Sequence, residues 1–263
     1  MGKTIGIISL KGGVGKTSVT AALGDAVSDF KKRVLLVDGS LSNPTLGMHL
    51  KVLAPEITLN HVLCRDVNAC DAVCKLDKFD LIPSSFSARI NASPLGLKDK
   101  LKSLKKRYDM IILDSSPLLN EETLAVMLAS DSILVVTTPD IPTLATTMKA
   151  VKTAKQRGVP INGIILNKVH NRNFELSIED VEKTADVPVV AVIPYDINSL
   201  RALSEFTPST SFKPNSESSQ EYRKLAATLI GEKYRPFRWR EIFRINPTRQ
   251  EINREIFYER VFG

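Results

Sequence analysis

The chain reads as an α/β protein with a doubly wound, mostly parallel sheet of about seven or eight strands and helices on both faces. Three observations predict this. Short, nearly unbroken runs of Val, Ile and Leu recur along the chain, the mark of strands buried on both faces. Longer segments with helical apolar spacing alternate with them, and repeated strand–helix units close with right-handed crossovers. The first run, Ile5-Gly6-Ile7-Ile8, leads straight into Lys11-Gly12-Gly13-Val14-Gly15-Lys16-Thr17-Ser18 and then into an apolar helical segment.

Strands are expected at residues 4–9, 33–38, 79–83, 109–114, 132–137, 163–167 and 189–193. Helices are expected near 17–30, 96–107, 121–129, 142–157, 177–185 and 217–230, the last stopped by Gly231. A Ser/Thr/Pro-rich loop, 209–219, leads into that last helix, and the sequence changes character after residue 231. In such sheets ligands sit at the carboxyl ends of the strands. Polar residues fall there: Lys11, Asp38, Asp114 and Asn167.

Composition narrows the class. With 263 residues and 43% hydrophobic content, the chain can bury one large core. Its apolar runs are too short to span a bilayer, and the first strand takes up the N-terminus, so a cytoplasmic protein is expected. Met1-Gly2 hints at myristoylation, but Gly6 stands where Ser or Thr is wanted. Cys64, Cys70 and Cys74 are too few and too odd for a disulfide framework, and their spacing with His61 fits no familiar zinc site. Reduced thiols on short helices are expected. The formal net charge is +7, and residues 232–263 hold eight Lys or Arg against five Glu, which points to acidic partners.

The glycine loop carries the chemistry. Without Cβ atoms at Gly12, Gly13 and Gly15, backbone N–H groups can close around a phosphate, and the following helix adds roughly half a positive charge there. Lys16 would reach the β- and γ-phosphates of a nucleoside triphosphate, and the Thr17 hydroxyl would bind Mg²⁺. The apolar run Met110-Ile111-Ile112-Leu113 delivers Asp114 to the sheet edge. Asn167 closes Gly163-Ile164-Ile165-Leu166, a position that an ordinary turn residue also suits. No histidine-based acid/base or nucleophile set appears, since His49, His61 and His170 are isolated.

Lys-Gly-Gly-x-Gly-Lys-Thr, with its extra lysine five residues ahead of the usual one, resembles the deviant Walker A motif of the MinD/ParA family. The resemblance covers residues 1–231, runs nearest to the MinD-like branch, and implies a P-loop NTPase of the SIMIBI type using ATP/ADP and Mg²⁺. It implies that Lys11 crosses to a partner's phosphates, so that ATP holds a homodimer together; an added cation facing phosphates in a water-poor interface is physically favourable. Met110–Asp114 followed by Ser115-Ser116-Pro117 looks like Walker B and switch II, which implies that Asp114 holds a Mg²⁺-bound water, and Asn167 occupies the position that reads adenine. Ile193-Pro194-Tyr195-Asp196 resembles a stretch that packs on the nucleotide, which brings in Pro194 and Asp196. Lys213-Pro214-Asn215-Ser216 also matches.

One departure matters. Switch I here reads Asp38-Gly39-Ser40-Leu41-Ser42-Asn43-Pro44, with Asp38 matching the family's first acid and Ser40 standing where a second is expected. A hydroxyl can orient water but lacks a full negative charge. Slow ATP hydrolysis, stimulated by an activating protein, is the expectation.

Two domains are expected: an ATPase domain at 1–231 and a basic aromatic tail at 232–263. On a helical wheel Trp239, Ile242, Phe243 and Ile245 share one face, with Arg240, Glu241 and Arg244 opposite. Residues 237–245 thus suit the interface of an anionic membrane. Residues 251–262 show no clear apolar face and suit docking on the chain's own body or on a partner. The functions that follow are a MinD-like switch positioning cellular components with reversible membrane attachment, a ParA-like dimer binding DNA non-specifically, or a protein-docking adaptor ATPase. An iron–sulfur carrier would want a Cys-x-x-Cys pair, which is not there.

Overall fold

The computed structural model describes residues 2–64, 67–86, 93–234 and 247–262. β1 (Lys3–Ile8) feeds α1 (Lys16–Ser28), and β2 (Val34–Asp38) is followed by two short helices, α2 (Leu46–His49) and α3 (Leu59–Cys64). A small hairpin, β3 (Cys74–Lys75) and β4 (Asp80–Ile82), precedes α4 (Leu97–Lys100) and β5 (Met110–Asp114). Then come α5 (Glu121–Ala129), β6 (Ser132–Thr137), α6 (Ile141–Gln156), β7 (Ile161–Val169), α7 (Ile178–Ala185) and β8 (Val189–Pro194). Among the described residues, four helices follow β8: α8 (Ile197–Ser204), α9 (Ser209–Phe212), α10 (Glu217–Ile230) and α11 (Arg249–Phe262).

The strands form one eight-stranded sheet in the order β3-β4-β2-β5-β1-β6-β7-β8, parallel except for the β3–β4 pair. Alternation along each strand splits the core into two layers. Ile5, Ile7, Leu36, Ile112 and Leu134 face α1 and α10, while Ile8, Leu35, Val37, Leu113 and Val135 face α5 and α6. At Gly6, on the second face, an added Cβ would stand 2.6 Å from Ser130 Oγ, so glycine there lets α5 approach the central strand.

The doubly wound fold is as expected, and two local readings are corrected. The single helix read across 96–107 is broken into a 3₁₀ turn (Pro94–Gly96), α4 and a second 3₁₀ turn (Leu104–Lys106). Lys98, Lys102 and Lys106 would stack at four-residue spacing in a continuous helix and repel one another. Leu97, Leu101 and Leu104 are buried in the core, and the break leaves the Lys105 carbonyl to accept from Gly2 N. The cysteines are thiols, but Cys74 lies on the edge strand β3, not on a short helix; Cys64 ends α3 and Cys70 sits in the 3₁₀ turn Ala69–Ala72.

The described residues after Gly231 pack on the body. Gly231 stops α10 at φ 76, and α11 returns to pack on α10 and on β8, the outermost strand. Asn253 Nδ2 donates to Val189 O at 2.8 Å, and Arg254 Nη1 donates to Val190 O at 3.0 Å and to Glu221 at 2.6 Å. Phe257 is buried beside them. The helix turns polar side chains inward because an edge strand presents backbone carbonyls that need donors. No helix among the described residues is long and apolar enough to cross a membrane. The basic aromatic segment 237–245 lies outside the described residues.

Candidate phosphate and magnesium site

β1 ends beneath a loop whose geometry only glycine adopts freely, with Gly13 at φ 81 and Gly15 at φ 92. Gly15 is also the N-cap of α1, and no side chain caps that helix. Its first amides are therefore left for a ligand, at the end where the helix dipole is positive. A Cβ on Gly15 would stand 2.5 Å from Asn167 Nδ2, so the loop is held tightly from outside. Residues 11–18 line a cleft of about 240 Å³ together with Ser40, Asn43, Thr45, His49 and Pro117.

Three groups converge on Asp114 at the end of β5. Lys16 Nζ donates to Oδ1 at 2.7 Å, Thr17 Oγ1 to Oδ2 at 2.7 Å, and Thr20 Oγ1 to Oδ1 at 3.1 Å. Lys16 and Asp114 are both buried, so neither charge is screened by water. Asp38 lies beside Asp114 in the β2–β5 register. Burial first, and the Asp114 charge second, push its carboxyl up to about 7. Its oxygens accept from Ser40 N at 3.2 Å and Leu46 N at 3.0 Å, which shapes the loop after β2. A lysine, a hydroxyl and two buried carboxylates beside an uncapped helix start fit a magnesium–nucleoside phosphate. The ammonium and amides answer phosphate charge, and Thr17 with Asp114 suits a hard cation.

The other expected residues take distinct places. Ser40 lines the cleft, with its hydroxyl donating to Asn43 O at 3.0 Å. Lys11 stands at the rim, about two-fifths exposed, and points away from its own loop. Its Nζ donates to Thr143 Oγ1 at 2.7 Å and reaches Asp140 Oδ1 at 3.4 Å. Asn167 holds the loop through Nδ2, which donates to Val14 O at 2.7 Å, and Lys168 does the same at Gly13 O. Pro194 ends β8, and Asp196 caps α8, accepting from Asn198 N at 2.9 Å and Ser218 Oγ at 2.9 Å. Burial alone would raise the Asp196 pKa, but these hydrogen bonds outweigh it and hold the carboxyl below its ordinary value.

Sequence reading missed several contributors. Asp140 and Thr143, which hold Lys11, lie more than 120 residues from it, and no spacing rule links them. The Asp-x-x-Thr start of α6 was nonetheless a readable N-cap. Thr45 lies 3.3 Å from Thr17 Oγ1. His49, read as isolated, lines the cleft, and its Nδ1 lies 2.8 Å from the Thr45 carbonyl, so Nδ1 carries the proton. His61 Nδ1 accepts from Thr58 N, a local turn contact.

Fold and site together define a P-loop nucleotide-binding protein. Comparison with known proteins agrees. Residues 2–161 match the AAA domain family. An uncharacterised ATP-binding protein of Methanocaldococcus jannaschii is 32% identical over 89% of this chain and 90% of its own length. The sporulation initiation inhibitor Soj of Bacillus subtilis is 30% identical over 86% of this chain and 97% of its own. The septum site-determining protein MinD of Pyrococcus horikoshii, solved with Mg-ADP, superposes with a TM-score of 0.81 at 35% identity, over 87% of this chain and 96% of that one. The chain belongs to the MinD/ParA-like family of P-loop ATPases.

Proposed function

We propose that this protein is an ATP-driven switch that pairs with a second copy when it holds Mg-ATP, hydrolyses it slowly, and positions a cellular component by reversible attachment to the cytoplasmic face of an anionic membrane. Lys16 and the amides of Gly13–Ser18 hold the phosphates, and Thr17 and Asp114 hold Mg²⁺. Asn167, Pro194 and Asp196 border the base, and Asp38 and Ser40 shape the hydrolytic end. The observation that carries the reading is the stance of Lys11. It is fixed at the cleft rim by α6, outside its own loop, where a facing subunit's phosphates would meet it.

Sedimentation velocity of the full chain tests pairing: a shift from monomer to dimer with Mg-ATP but not Mg-ADP is expected, lost in Lys11→Ala. Absence of an ATP-dependent dimer would sink the reading. Membrane attachment, assigned to residues 237–245 of the proposed 232–263 tail, is tested by pelleting with phosphatidylglycerol vesicles. Trp239→Glu with Phe243→Glu should abolish pelleting. These substitutions are preferable to deleting 232–263, which would strip buried Arg254 and Phe257 from the body.

The DNA-binding alternative fits the geometry less well. The basic run Lys98–Arg107 precedes β5 and so lies near the amino ends of the strands, away from the cleft. Steeply salt-dependent DNA binding that requires ATP would restore that alternative.

A further inference from the structure

Glu122, in the first turn of α5, is a carboxylate that the nucleotide site does not use. It is buried, and removing an ionised carboxyl from water is costly unless donors answer its charge. Among the described residues, its donors come from one residue distant in sequence: Ser42 N reaches Oε1 at 3.0 Å, and Ser42 Oγ reaches Oε2 at 3.0 Å. Ser42 lies inside the turn closed by the Ser40 Oγ bond to Asn43 O, and both Ser40 and Asn43 line the phosphate cleft. Asp38 grips the same loop from within the sheet, through Ser40 N and Leu46 N. The loop after β2 is thus held between two carboxylates, one at each side.

The second grip links two loops that line the cleft. α5 begins right after the loop 115–120, whose Pro117 lines the same cleft, and Asn120 caps α5 through Thr123 N at 3.1 Å. A carboxylate fixed on α5 therefore sets the distance between the loop carrying Ser40 and the loop following Asp114. We propose that Glu122 is a positioning residue for hydrolysis: by clamping Ser42 it fixes the Ser40 turn relative to the Asp114 loop. The inference rests on the hydrolytic reading above. With Ser40 in place of a charged group, the hydroxyl acts through its placement alone, so the clamp that places it governs turnover. A neutral amide at 122 can accept from one Ser42 donor but presents its own N–H groups to the other.

The test compares Mg-ATP turnover, Mg-ADP affinity and Ser42 amide hydrogen exchange in the full chain for wild type, Glu122→Gln, Ser42→Ala and the double variant. Glu122→Gln should lower kcat about tenfold, as small misplacements of reacting groups do, with Mg-ADP affinity within about twofold of wild type. Ser42 amide exchange should accelerate. Ser42→Ala keeps the N–H contact and should lower kcat less, and the double variant should be no slower than Glu122→Gln, since both act through one contact. Unchanged kcat in Glu122→Gln, or additive effects in the double variant, overturns the inference. Parallel losses of kcat, Mg-ADP affinity and Tm also overturn it, as they mark a merely structural role. A wild-type chain with no turnover overturns the hydrolytic reading itself.

Discussion

α1 and α6 begin where the adjacent strands β1 and β6 end, yet their first turns are built in opposite ways. α6 opens under Asp140, whose carboxylate accepts from Thr143 N at 2.9 Å and also draws in Lys11. α1 opens at Gly15, with no side-chain cap at all. The capped pattern recurs at α5, α7, α8 and α10, through Asn120, Ser177, Asp196 and Ser216. At these five helices, all of eight residues or more, the chain supplies its own oxygen, while the four-residue α2, α4 and α9 do without a side-chain cap. At the long helix α1, glycine withholds the side chain, and the amides and dipole stay open to an anion such as phosphate.

The largest effect that would break this comparison is at Lys16. Lys16→Ala should weaken Mg-ATP binding at least about 100-fold, or about 2.7 kcal/mol, by isothermal titration. Unchanged affinity would mean that α1 is not the phosphate helix. Gly15→Ser gives α1 the kind of start that α6 has. At φ 92, with a Cβ 2.5 Å from Asn167 Nδ2, it should cost about 1–2 kcal/mol in urea unfolding and weaken nucleotide binding with it. A stable, fully binding Gly15→Ser would show that the bare start is incidental.

Smaller effects sharpen the other side. Asp140→Ala should cost about 1 kcal/mol of stability through the lost cap, whereas Asp140→Asn, which still caps, should cost less, both read as Tm. Equal losses would shift the emphasis from the cap to the carboxylate charge. The finest test is pH. Hydrogen bonds from Thr138 and Thr143, with the Lys11 charge, outweigh burial and hold the Asp140 carboxyl below its ordinary value. A depressed carboxylate stabilises above its unfolded pKa, near about 4, and that stability is lost as pH falls through the folded value. Urea stability from pH 7 downward should therefore fall less steeply below pH ~4 in Asp140→Asn than in wild type.

How much of this was legible follows from range. Residues 132–137 and 109–114 read as strands because continuous apolar runs need no partner to be recognised. The glycine loop was legible because its chemistry is contiguous. The two-residue β3 carries no period, and the helix broken near residue 101 depends on charge repulsion and on a carbonyl claimed by Gly2. The docking of residues 251–262 on the body was among the expected outcomes, but its route through inward-facing Asn253 and Arg254 is one that a polar-out pattern cannot anticipate.

The sequence by itself determined the doubly wound sheet, the phosphate loop, and the acids at the ends of β2 and β5, since each rests on neighbours along the chain. Only the tertiary structure decided that Lys11 rests on α6, that Asp38 lies beside Asp114 in a buried site, and that Glu122 holds Ser42 from 80 residues away. It alone showed α11 closing the edge of β8. These are pairings of charge and hydrogen bond across the sheet, and their partners meet only once the strands have set the distances between them.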